Sequence, residues 1–268
     1  MMVVAHFVAI SCYVAAAALA ALPFARRVKA PVGGVIAALT VGVIAHAFAL
    51  ASFIRQSGSG SLTGLGPALS FAGFILAIAL ILVEAFAREV SVALAAAPLA
   101  ALATVAANVS GLTPLLDPQG TRATWLVMHI VLSFAGMAAY ATAAAAGTMY
   151  LVARRELKTA RFGAIFRFFP PLDTLDRVNH FASIIGFFGL TTGLALAAAY
   201  SIAYHTMVLP QLVWGLGAWL CIGGVALGRL LRGLQARRAA VISTITFASV
   251  LLMYVVFRVA SLNRGQFL

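Results

Sequence analysis

Residues Trp125 to Ala153 decide the fold of this chain, and they read WLVMHIVLSFAGMAAYATAAAAGTMYLVA. These 29 residues contain one histidine and no aspartate, glutamate, lysine or arginine. A helix needs about 20 apolar residues to cross the ~30 Å hydrocarbon core of a bilayer. The stretch therefore predicts a membrane-spanning helix.

The rest of the chain has the same character. Of its 268 residues, 63% are hydrophobic and 9% are charged, and the mean hydropathy is +1.07. A soluble domain usually has about 25% charged residues. We therefore expect an all-α, polytopic membrane protein with a single transmembrane domain over residues 1–268. Its eight predicted spans cover about 3–24, 32–54, 67–86, 90–107, 125–153, 178–204, 211–231 and 239–260.

The basic residues are distributed unevenly between the predicted loops. The net charge of +12 would suggest a nucleic-acid partner in a soluble protein, but 14 of the 18 basic residues fall in or beside the short loops 1–2, 3–4, 5–6 and 7–8. Loops rich in lysine and arginine stay in the cytoplasm. We therefore expect a multi-pass protein of the bacterial inner membrane, surrounded by lipid, with both termini outside the cytoplasm and no nucleic-acid partner.

Ionisable residues inside a membrane are costly and are candidates for function. No carboxylate falls at the middle of a predicted span, because Glu84 and Glu89 lie at a helix end. This absence disfavours an ion-driven pump and makes a small-solute transporter the least favoured alternative. Cys12 and Cys221 lie in apolar runs without a CxxC motif, so dithiol chemistry is not expected.

Five histidines remain, and neutral imidazole in an apolar slot between helices is an axial ligand for haem iron. By depth, His46 and His129 can face one site in the outer leaflet. His180 begins span 6 and lies about 37 Å from His205 along the same helix, so it would serve a separate inner site. His6 and His205 lie at helix ends, where we expect bonds to lipid headgroups or loop backbone.

Two further features bear on a site. Arg258 lies in span 8 near its outer end and can pair with a haem propionate, although such an arginine can also extend to the interface. Proline and acidic residues at 170–176 predict a helix start.

Several segments together carry a family pattern. They are WLVMH at 125–129, Tyr140 with GTMYL at 147–151, PPLDTLDRVNH at 170–180, LTTG at 190–193, AHAFAL at 45–50, and Arg237-Arg238 followed by Tyr254. In this order they resemble the cytochrome c assembly protein superfamily of the CcsA, CcmC and HemX type. The closest pattern is the short HemX-like or YpjD-like branch.

The resemblance implies that the protein binds or delivers haem, with haem b as the cofactor. His46, His129 and His180 would then supply iron ligands, and Arg258 would contact the haem. Expected partners are haem, other cytochrome c maturation proteins or an enzyme of the tetrapyrrole pathway.

The sequence departs from the family's haem-transfer synthetases in two places. Residues 204–215 read YHTMVLPQLVWG, with one tryptophan where those members have a tryptophan-rich loop, and the end of span 8 lacks a second outer histidine. We therefore expect a carrier or accessory protein and not an enzyme. The alternative is a non-catalytic membrane partner of another protein, with the basic segment from Arg154 to Arg167 as its docking surface.

Overall fold

The computed structural model describes residues 2–26, 28, 30–57, 62, 65–87, 92–112, 121–159, 169–205, 209–234 and 236–262. Within these ranges the protein is all α-helical and contains no strand. Eight helices are long and apolar enough to cross a membrane, which confirms the predicted fold class of a polytopic membrane protein. They are α1 (Met2–Arg26), α2 (Val32–Ser57), α3 (Leu65–Ala87), α4 (Ala93–Ser110), α5 (Thr121–Lys158), α6 (Leu172–Tyr204), α7 (Leu209–Arg232) and α8 (Ala236–Leu262).

The helix boundaries differ from the predicted spans where polar residues continue a helix. Helix α5 has 38 residues, about 57 Å, and it continues through Arg154 and Glu156 to Lys158 because these residue types are good helix formers. Helix α6 begins at Leu172, directly after Pro171, six residues before the predicted span. Helix α4 lies three residues further along the chain than predicted, at Ala93–Ser110.

Small residues fill the interior of the first half of the bundle. Helix α1 packs against α2 and α4, and α3 packs against α4. The buried side chains between them are mainly alanines, such as Ala96, Ala97 and Ala100, together with Tyr13 and Leu39. Because lipid is as apolar as leucine, close van der Waals contact between helices is a main source of their association.

The second half is built on the pair α5 and α6, whose backbones touch along a row of glycines. A Cβ atom placed on Gly189 would lie 2.8 Å from the Gly136 Cα atom, and one placed on Gly136 would lie 2.7 Å from the Leu190 backbone nitrogen. Gly186 and Gly193 continue the same contact. We call these four residues the glycine seam.

Buried Asn179 adds a polar connection among three helices of this half. Its amide nitrogen donates to the Ala143 carbonyl of α5 at 2.6 Å and to the Ser243 hydroxyl of α8 at 2.7 Å. The bonds fix α6 against both neighbours.

A side chain on the glycine seam should destabilise the protein. Gly189→Ala places a methyl group against the Gly136 backbone, and we expect it to lower the free energy of unfolding by about 1–3 kcal/mol. Thermal unfolding in detergent measures the effect. Gly224→Ala is the matched control, because nothing lies within 4 Å of that position and alanine is the better helix former. Equal stability of the two variants in thermal unfolding would contradict a close α5–α6 contact.

Candidate functional site

Two histidines and one serine meet inside the first three helices. The Nε2 atom of His6 lies 2.8 Å from the Ser70 Oγ atom, and the Nε2 atom of His46 lies 2.9 Å from that same oxygen. All three side chains are fully buried. The two imidazole rings are 5.1 Å apart between centroids and meet edge to face. Helices α1, α2 and α3 are therefore joined through one hydroxyl group.

Tyr13 extends this cluster from α1. Its hydroxyl lies 3.1 Å from the His46 Nδ1 atom, and the phenol is also fully buried. A serine hydroxyl has one proton, so Ser70 donates to one imidazole and accepts from the other. The neutral His6 and His46 rings must therefore carry their protons on different nitrogens. We call His6, Tyr13, His46 and Ser70 the histidine network.

The histidine network as it stands does not fit haem. Both ring nitrogens of His46 are within hydrogen-bond distance of other side chains, and an iron ligand needs a nitrogen with a free lone pair. The Nδ1 atom of His6 has no partner among the described residues, but it is buried inside the helix bundle. The edge-to-face contact of the His6 and His46 rings leaves no space for a porphyrin between them. In the described part of the chain, no group of three or more His, Cys, Asp and Glu side chains could hold a metal ion.

His129 on α5 has a different environment. Its Nδ1 atom lies 2.8 Å from the Gly193 backbone carbonyl of α6. A carbonyl oxygen only accepts, so Nδ1 carries the proton and Nε2 keeps its lone pair. The Nε2 atom makes no hydrogen bond with the residues that the structure describes. A ring fixed through Nδ1 to a carbonyl, with Nε2 free, is the usual arrangement of a metal-binding histidine.

The glycine seam makes this His129 bond possible. A Cβ atom on Gly193 would overlap the Ser133 Oγ atom, one helical turn after His129. Only glycine lets α5 approach closely enough for the imidazole to reach the carbonyl. The geometry of His129 therefore depends on the packing of α5 against α6.

A cation and two aromatic rings lie at the same end of α5 and α6. The Arg122 guanidinium lies 4.4 Å above the Tyr204 ring, and the Tyr204 ring packs against Tyr200 at a tilt, with 4.7 Å between centroids. Arg122 precedes His129 by seven residues, so both lie on one face of α5, about 10 Å apart along its axis. This end of the helix pair thus offers a nitrogen ligand and a positive charge.

The remaining predicted site residues lie elsewhere. His180 is half-buried near the start of α6, where it packs against Phe181 and lines a cavity with charged residues. No hydrogen bond joins His46 to His129, and their contacts belong to different helix groups. Helix α8 includes Arg258, but that side chain lies outside the described residues. His205 is exposed at the end of α6.

One interpretation from the sequence is wrong, and one residue of the network has no signal in the sequence. His6 was expected at a lipid or loop interface, but it is fully buried and bonded to Ser70. Ser70 was not singled out at all, because a serine in an apolar helix shows no pattern by itself. The available signal was the spacing of His6 and Tyr13, which are seven residues apart and so share one helix face.

Removing the shared hydroxyl should destabilise the first three helices. In Ser70→Ala, both imidazole Nε2 atoms lose a buried partner, and we expect a loss of about 1–2 kcal/mol of unfolding free energy. Detergent unfolding measures it. Ser183→Ala is the control, because the buried Ser183 hydroxyl bonds the Asn179 carbonyl of its own helix. If Ser70→Ala is no less stable than the control, the histidine network contributes nothing to helix packing.

Comparison with known proteins identifies the family. The family model described as cytochrome C assembly protein matches residues 3–263. No curated protein and no solved structure matches the chain significantly. Since the matched range covers nearly all of the eight-helix chain, this multi-pass membrane protein belongs to the cytochrome c assembly protein family.

Proposed function

We propose that the chain is a haem-handling carrier or accessory protein of cytochrome c assembly, and that His129 is its iron ligand. The observation that carries the proposal is the His129 ring, fixed through Nδ1 to the Gly193 carbonyl with Nε2 free. The hydrogen bond raises the basicity of Nε2 and holds the ring in one orientation. When bound, haem b would supply an iron centre with an open coordination position for this nitrogen.

Arg122 is the described cation best placed to pair with a haem carboxylate. It lies two turns before His129, at the start of α5, and its guanidinium lies over the Tyr204 ring. Guanidinium binds carboxylate through two parallel hydrogen bonds. Arg258 stays a proposed second partner for a propionate.

We also propose His46 and His180 as iron ligands, although fewer observations support them than support His129. His46 can bind iron only if it releases Tyr13 or Ser70. His180 lies at the start of α6, whereas the His129 partner Gly193 lies 13 residues further along that helix, about 20 Å away. An iron ligand at His180 would therefore belong to a separate site.

The connection between α6 and α7 supports an accessory role rather than haem-transfer synthesis. Helix α6 ends at Tyr204 and α7 begins at Leu209, so four residues separate them. Synthetases of the family that the sequence resembles have a tryptophan-rich loop between these spans. Trp214 lies inside α7 and packs against Tyr254 of α8, where it contributes to helix packing.

Haem binding is tested by titrating haem into the purified protein in detergent and following the Soret band. We expect His129→Ala to lose the shifted band, because the free Nε2 atom is removed. His205→Ala is the matched control, since this histidine is exposed at a helix end. Gly193→Ala should weaken haem binding by about tenfold, since an added methyl group separates His129 from its carbonyl.

An unchanged band in His129→Ala would overturn the assignment of the ligand. If the unaltered protein gives no Soret band at all, the haem proposal fails. The non-catalytic partner role would then be favoured, with exposed Arg155 and Lys158 at the end of α5 as its docking surface.

We also propose that the chain lies in a bacterial inner membrane with both termini outside the cytoplasm. The concentration of basic residues in alternate loops supports this orientation. In a cysteine-free background, Gln56→Cys should react with a membrane-impermeant maleimide in intact spheroplasts. Thr159→Cys should react only after permeabilisation. Both positions are exposed, so the reverse pattern would invert the topology.

A further inference from the structure

We propose that a charged cavity between the start of α6 and the end of α7 binds the headgroup of a zwitterionic lipid, with phosphatidylethanolamine as the preferred ligand. The cavity has a volume of about 350 Å³ and is lined by Asp173, Asp176, Arg177, His180 and Arg229, with Gly233 at its edge. It lies apart from His129 and does not depend on haem binding.

Arg229 supplies a buried donor to this cavity. Its side chain is 5% exposed. The Nη2 atom donates to the Asp176 Oδ1 atom at 2.5 Å, and Nη1 donates to the Asp176 carbonyl at 3.4 Å. The Nε–H group is buried and has no hydrogen-bond partner among the described residues. Buried donors in proteins nearly always have a partner, so this group calls for an acceptor oxygen from a ligand.

The cavity presents both signs of charge. Arg177 donates to the Asp173 Oδ2 atom at 2.5 Å, and the Asp173 side chain is 82% exposed. The other carboxylate oxygens, Asp173 Oδ1 and Asp176 Oδ2, make no bond within the described part of the chain. The two carboxylates balance the two guanidinium groups. A ligand with one anionic and one cationic group therefore matches the cavity, whereas a purely anionic lipid brings no donor cation for the unbonded oxygens of these ion-paired carboxylates.

The level of the cavity in the membrane favours a lipid as the source of that ligand. Helix α6 has 33 residues, about 50 Å, which exceeds the ~30 Å hydrocarbon thickness. Asp173, Asp176 and Arg177 lie in its first two turns, and no charged residue follows before Tyr204. These turns therefore lie at the level of the phosphate and amine groups.

Hydrogen bonding selects among zwitterionic lipids. The primary ammonium of phosphatidylethanolamine donates to carboxylate oxygens such as Asp173 Oδ1. The quaternary ammonium of phosphatidylcholine has no N–H group and cannot. The phosphate oxygens would accept from Arg229 Nε and Arg177.

Native mass spectrometry of the purified full chain tests the proposal. The protein is mixed with equal amounts of phosphatidylethanolamine, phosphatidylcholine and phosphatidylglycerol that carry the same acyl chains. We expect phosphatidylethanolamine to be retained about tenfold over each of the others. Asp173→Asn should remove the preference over phosphatidylcholine, and Arg177→Gln should weaken retention of phosphatidylethanolamine. Arg229 stays unaltered, because its bonds to Asp176 hold α6 against α7.

Arg237→Gln is the control, since it removes an exposed cation of α8 that does not line the cavity. Unchanged thermal unfolding temperatures would show that the variants are folded. Equal retention of the three lipids, preferred retention of phosphatidylglycerol, or an undiminished preference in Asp173→Asn would overturn the proposal. Soluble phosphoethanolamine distinguishes the source of the ligand: if it stabilises the protein while no lipid is preferred, the cavity binds a free zwitterion and not a membrane lipid.

Discussion

The hydrocarbon core of a membrane offers no hydrogen-bond partner, so a polar side chain in this bundle is costly unless it finds one in the protein. The histidine network meets most of this demand by mutual contact, since both ring nitrogens of His46 are engaged, while the buried Nδ1 atom of His6 has no partner among the described residues. His129 meets it only in part, because its Nδ1 atom bonds a backbone carbonyl while Nε2 does not. The same residue type thus connects helices through both ring nitrogens in one half of the bundle, and through one ring nitrogen in the other.

The glycine seam determines both the packing of α5 against α6 and the orientation of the His129 ring. The carbonyl that orients His129 belongs to Gly193, a member of the row of glycines that lets α5 touch α6. A change anywhere along the seam that separates the two backbones also releases the imidazole. Stability and ligand geometry are therefore coupled, and a variant of the seam must be judged by both measurements.

Hydropathy and length were sufficient to predict eight helices, because about 20 apolar residues leave few alternatives to a spanning helix. The position of His129 within its motif also pointed to a site. The spacing of His6 and Tyr13 marks one face of α1, but the bond of His6 could not be predicted, since its partner Ser70 is 64 residues away. Asp173 and Asp176 indicated a helix start, and the cavity they line depends on Arg229 from another helix. Contacts between residues of different helices produce no periodic pattern in a single sequence.

The histidine network can also form early during synthesis of the chain. Its four side chains all lie before residue 71, whereas His129 and Gly193 are separated by 64 residues of α5, α6 and their connection. A ribosome delivers earlier segments to the membrane first, so α1, α2 and α3 can complete their shared contacts while α5 is still being translated. Helices α1, α2 and α3 can then form a preassembled surface against which α4 and α5 pack as they leave the insertion machinery.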